Sequence, residues 1–155
     1  MQVTWKKVVL GCFVFGVAVG GAVIVEANAP HHSSGQILIG AHMDSDVRET
    51  FERSCQDCHS NNTYWPLYAN LPVVSTLIHE DVDKGRKIMN FSNWQDYSRG
   101  KKVGYLALIQ NSLHKRVMPP AKYTALHFHA KLSAEQLDAI EKWTGQEMTR
   151  IMHEK

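Results

Sequence analysis

Residues 55–59 read Cys-Gln-Asp-Cys-His, and no other feature constrains this chain as much as that order of Cys-x-x-Cys-His. Two thiols three positions apart on a turn can each add to one vinyl group of a haem, and the next imidazole then faces the iron. Cys55 and Cys58 are the expected thioether positions and His59 the expected proximal iron ligand, so one covalent haem c is the expected cofactor. Other uses of paired cysteines fit less well. A redox dithiol calls for a βαβ pattern, which is missing here. A structural zinc site calls for a second pair of ligands. Gln56 and Asp57 between the thiols, with Ser60-Asn61-Asn62 after them, predict an exposed haem edge.

The chain of 155 residues has room for one domain and an appendage, and the appendage is visible at its start. Lys6 and Lys7 precede an apolar run from Val8 to Val25, and Ala27-Asn28-Ala29 offers a small-x-small cleavage site. Residues 1–29 therefore read as a signal peptide cleaved after Ala29 or as a single-pass membrane anchor, the anchor being slightly favoured. Either outcome exports the remainder to the periplasmic side, since the two lysines stay inside. Cys12 lies within the apolar run, so Cys55 and Cys58 are the only cysteines of the exported part. Without residues 1–29 the chain keeps 15 basic and 14 acidic residues, a balance that gives no reason to expect nucleic acid as a partner. Arg99, Lys101, Lys102, Lys115, Arg116 and Lys122 form a local basic stretch. It reads as a solvated helix face or, more sharply, as a docking patch for an acidic redox protein.

Residues 30–44 read as a linker and 45–155 as the haem-binding domain. Asp46 is placed to cap a helix bearing Val47, Phe51 and Cys55 at i, i+4 spacing, which leads into the motif. Val73 to Glu80 reads as a short helix, Lys101 to Arg116 as a longer one, and Pro119-Pro120 forces an extended loop. Ser133 and Gln136 form a capping box that opens a helix with Leu137, Ile140, Thr144, Met148 and Ile151 on one stripe. No segment alternates with a period of two. The expected fold is all-α: a small cytochrome c-like helical domain of about four helices around one haem, preceded by the N-terminal hydrophobic segment.

The sixth iron ligand decides the function, and Met118 is the candidate. It lies in a Pro-stiffened loop between a helix and the terminal helix, and a thioether ligand raises the reduction potential. His114, one turn before it, and His127, beyond it, are the alternatives, with Met89 a weaker one. Trp65, Tyr68, Trp94, Tyr97, Tyr105 and Tyr123 supply core aromatics that can also donate to a haem propionate, and Arg86 can add a charge-assisted bond.

With these residues assembled, the chain resembles the bacterial haem-binding-domain family over about Asp46 to Trp143. The marks are Cys55 to Asn61 with Thr63, Trp65, Pro66 and Tyr68, then Asp81-Val82, Gly85-Arg86, Asn90-Phe91-Ser92 and Trp94. Met118-Pro119-Pro120, Tyr123, His127, Leu132-Ser133, Glu135 and Trp143 complete them. The resemblance implies a small exported protein with one Cys-x-x-Cys-His, commonly with an N-terminal anchor and with no defined substrate. Some relatives are joined to cytochrome c peroxidase-type modules. Both Met118 and His127 belong to the shared pattern, so the resemblance leaves the sixth ligand open.

Three functions compete. A monohaem cytochrome passing single electrons between redox partners needs a six-coordinate iron and an exposed haem edge, and this electron-transfer reading leads. A peroxidase-like enzyme needs a displaceable sixth position with His114, His127 or Arg116 as acid/base. A haem-based sensor or accessory protein is the third.

Overall fold

The computed structural model describes residues 36–154; the apolar segment, the cleavage position after Ala29 and residues 30–35 of the expected linker lie outside that range. Helix α1 runs Ser45–Ser54 and α2 runs Gln56–His59, separated only at Cys55, which leaves helical geometry at φ −128°. Then come α3, Pro72–Ile88, and α4, Arg99–His114, followed by the short α5, Ala121–Leu126, and α6, Ala134–His153. Three 3-10 helices, Leu67–Asn70, Phe91–Asp96 and Phe128–Ala130, fill the turns, and no strand occurs among the described residues. The domain is all-helical.

Local chemistry explains most boundaries. Ser133 accepts from the Gln136 backbone while the Gln136 side chain accepts from the Ser133 backbone, so the capping box opens α6 as expected. Ser98 caps α4 by accepting from Lys101 N–H, which starts that helix at Arg99, two residues before the expected Lys101. Pro72 sits at the first turn of α3, where a missing N–H is harmless. That helix runs on to Ile88, well past the expected Glu80. Asp44, not Asp46, occupies the cap position of α1, and Asp46 stands in its first turn.

Helices α4 and α6 pack along each other, and α1 lies against α6. Between them sits one core built on Phe51, Phe91, Trp94, Leu106, Ile140, Trp143 and Ile151. Residues 36–44, the described part of the expected linker, belong to this core rather than to a tether. Ile37 and Leu38 are fully buried. Leu38 takes φ 55°, an uncommon conformation for a non-glycine residue, and its N–H donates to the Phe91 carbonyl. Arg48 donates to the Ile37 carbonyl and Trp143 Nε1–H to that of His42. Arg150 adds a donor to Gly40 while binding the buried Glu147 through two bonds of 2.7 Å. Partners about a hundred residues away, Trp143 and Arg150, fold the segment in.

Candidate haem site

The two cysteines and His59 lie on one short turn of helix whose far side is packed. The Cys55 N–H donates to Phe51 and the His59 N–H to the Cys55 carbonyl, so the motif continues the hydrogen-bond ladder of α1. Cys55 and Cys58 are free, half-buried thiols. Burial pushes them up, Cys55 to about 12 with the neighbouring Cys58 adding to it, and Cys58 to about 11 with Asp57 and Asp81 adding. Both are therefore neutral thiols near pH 7.

His59 is held from the side opposite its Nε2. Its Nδ1–H donates to the Met89 carbonyl at 3.1 Å, since a carbonyl can only accept. That fixes the tautomer and leaves the Nε2 lone pair as the base of the ring, the arrangement metal-bound histidines show. Burial lowers the pKa of the ring, opposed by the backbone bonds of Met89 and Gly85, which keeps it neutral. Phe91 lies against it with ring centroids 5.5 Å apart. Phe51 then touches both Phe91 and Trp143, so aromatic contacts run from His59 to α6.

The residues after the motif are stapled to α3 and the turn behind it. Arg86 donates to the Ser60 carbonyl and to Thr63 Oγ1, both at 2.8 Å. Asn90 donates to Asn61, and the Asn61 N–H donates to Ser92. Arg86, expected as a propionate donor, is thus occupied in shaping the loop. Gln56 and Asp57 are 2% and 6% exposed, so the expected exposed edge does not run through them. Asp57 instead accepts the Tyr64 N–H on one oxygen and the Tyr123 hydroxyl, at 2.7 Å, on the other. That hydroxyl is a firm donor, since burial and the Asp57 carboxylate push the phenol's pKa far up. The sequence marks Tyr123 as a core aromatic able to donate to a haem propionate and as part of the family pattern; nothing in the chain signals a bond to a residue 66 positions away.

The sixth-ligand candidates part company. His127 is buried, with Nδ1–H donating to the Tyr123 carbonyl and Nε2 accepting from the Tyr68 hydroxyl at 2.9 Å. Its ring stacks on Tyr123 at 4.1 Å. His114 is exposed and pairs with Glu141 on α6 at 3.2 Å, in a cleft lined by Gln110, Leu113 and Leu137 and by none of the motif residues. Met89 is buried in the core. Met118, beside the still more exposed Val117, differs from His127 and Met89 in being 38% exposed, and from His114 in having no ion-pair partner among the described residues.

Haem fits the residues present. There are two neutral thiols for vinyl addition and an oriented imidazole nitrogen on one turn. Arg53 Nε, Ser54 Oγ and Gln56 Oε1 flank Cys55, buried and without a hydrogen-bond partner among the described residues. Leaving such atoms unpaired costs about 1–3 kcal/mol each, so their surroundings suit a further polar group.

Comparison with known proteins gives the same answer. The sequence model of the family described as "Haem-binding domain" matches residues 16–146. The chain belongs to the haem-binding-domain family. It is also 28% identical over 103 residues to cytochrome c peroxidase Ccp of Escherichia coli (strain K12), an alignment covering 62% of this chain. The chain spans about a fifth of that relative's length (21%). No solved structure matches it.

Proposed function

We propose that this protein is an exported monohaem c-type cytochrome that passes single electrons between redox partners. The observation that carries this reading is the Cys55, Cys58 and His59 turn, with His59 Nδ1–H committed to Met89 and Nε2 left as the base. Cys55 and Cys58 would hold haem c through thioethers, His59 would take the proximal position and Met118 the distal one. Haem bound in this way supplies reversible iron(III)/iron(II) chemistry, at a potential raised by a thioether ligand. The polypeptide orients His59, keeps its ring neutral and holds the motif on α3 through Arg86 and Asn90. The engagement of His127 by Tyr68 and Tyr123, and of His114 by Glu141, supports Met118 over either histidine. Export and membrane attachment through Val8–Val25 complete the proposal.

The test is spectroscopic. Protein made with c-type maturation machinery should carry one haem that survives denaturation. Its oxidised form should show the weak near-infrared sulfur-to-iron band, and Met118→Ala should abolish that band and lower the potential. Haem lost on denaturation, or a band unchanged by Met118→Ala, contradicts the assignment.

The resemblance to a cytochrome c peroxidase favours a second reading, in which the sixth position is displaceable and peroxide is reduced. Rapid peroxide turnover by the wild type would select it.

A further inference from the structure

Helix α5 is six residues long and buries none of them, so apolar packing does not hold it in place. Its attachments are polar. Tyr123 donates to Asp57, between the two cysteines, at 2.7 Å. Lys122 pairs with Asp81 of α3 at 2.6 Å, the lysine side chain 66% exposed and the aspartate 37%. The first bond is partly buried and has a charged acceptor; the second is exposed and contributes little. Tyr123 is also braced from behind by the stack on His127, which itself accepts from Tyr68.

We infer that Tyr123 is a positioning residue for the sixth-ligand loop, its bond to Asp57 latching the segment that carries Met118 onto the attachment motif. This rests on the reading of Met118 as ligand given above. The mechanical link is short. Pro119 and Pro120 separate Met118 from α5, and proline fixes φ, so few soft torsions lie between the latch and the sulfur. Releasing the hydroxyl leaves the stack on His127 available to a phenyl ring and removes only the tie to Asp57.

The experiment compares holoproteins of wild type, Tyr123→Phe and Lys122→Ala. Azide affinity, the near-infrared sulfur-to-iron band and amide hydrogen exchange over residues 117–126 are the readouts. Tyr123→Phe should keep its covalent haem, weaken the band, exchange faster over 117–126 and bind azide roughly tenfold more tightly, the worth of one charge-assisted hydrogen bond. Lys122→Ala should stay within about twofold of wild type. Asp57→Asn, which can still accept from the hydroxyl, should fall between. If Tyr123→Phe matches wild type in band, azide affinity and exchange, the latch is overturned while Met118 remains the ligand. If the wild type shows no band and Met118→Ala changes nothing, the ligand reading fails and the latch fails with it.

Discussion

Gly85 of α3 meets the backbone of Cys58: a Cβ added there would overlap the Cys58 carbonyl oxygen and lie 3.0 Å from its carbon and 3.1 Å from its Cβ. The helix that supports the motif therefore crosses it with no room for a side chain at Gly85. Gly85→Ala should lower stability by about 1–3 kcal/mol in denaturant unfolding, although alanine is the better helix former. Gly104→Ala, with nothing within 4 Å of the added atom, is the control and should stabilise α4 by roughly 0.5–1 kcal/mol.

The thiols make the apoprotein sensitive to alkali. Cys55 and Cys58 lose their protons at about 12 and about 11 when folded, against an ordinary value of 9.0. Between those limits the folded chain keeps protons that the unfolded chain releases, so stability falls as pH rises from about 9. Urea midpoints of the apoprotein should drop across this window. The Cys55→Ala/Cys58→Ala variant should lose that part of the slope, and so should the holoprotein if both sulfurs are thioethers.

His127 and His114 should behave oppositely on truncation. His127→Ala removes two hydrogen bonds and a ring stack from a buried site and should cost about 3 kcal/mol. His114→Ala breaks only an exposed pair with Glu141 and should change stability by less than about 0.5 kcal/mol. Thermal unfolding of the two variants distinguishes these outcomes. Equal losses would mean that one of the two environments is not as described.

Glu147 is buried against Arg150, which also reaches Glu154 and the Gly40 carbonyl. Glu147→Ala leaves that guanidinium without its main partner and should destabilise the fold by about 3 kcal/mol. Limited proteolysis should then cut near residues 36–42 sooner than in wild type.

What the sequence made legible follows from the range of the forces involved. The α6 boundary was readable because Ser133 and Gln136 satisfy each other within one turn. The motif was readable because porphyrin chemistry dictates its spacing. Gly85 stands in the sequence only as part of the Gly85-Arg86 mark, whereas in the fold it permits a close crossing with Cys58; only the tertiary partner reveals that use. Likewise, Asp57 looked like a solvent-facing residue until Tyr123 was found to cover it from 66 positions away. Polarity alone gives no sign of such distant pairing.

Leu38 nails the first described residues into the core, and that sets a leash. Were Val8–Val25 retained in a membrane, only the 11 steps from Val25 to Gln36 would separate the bilayer from the packed domain. At 3.3–3.6 Å per residue that is at most about 40 Å. A carrier on so short a lead would search for partners in a thin layer beside the membrane, at high local concentration, and its turnover would depend on lateral diffusion.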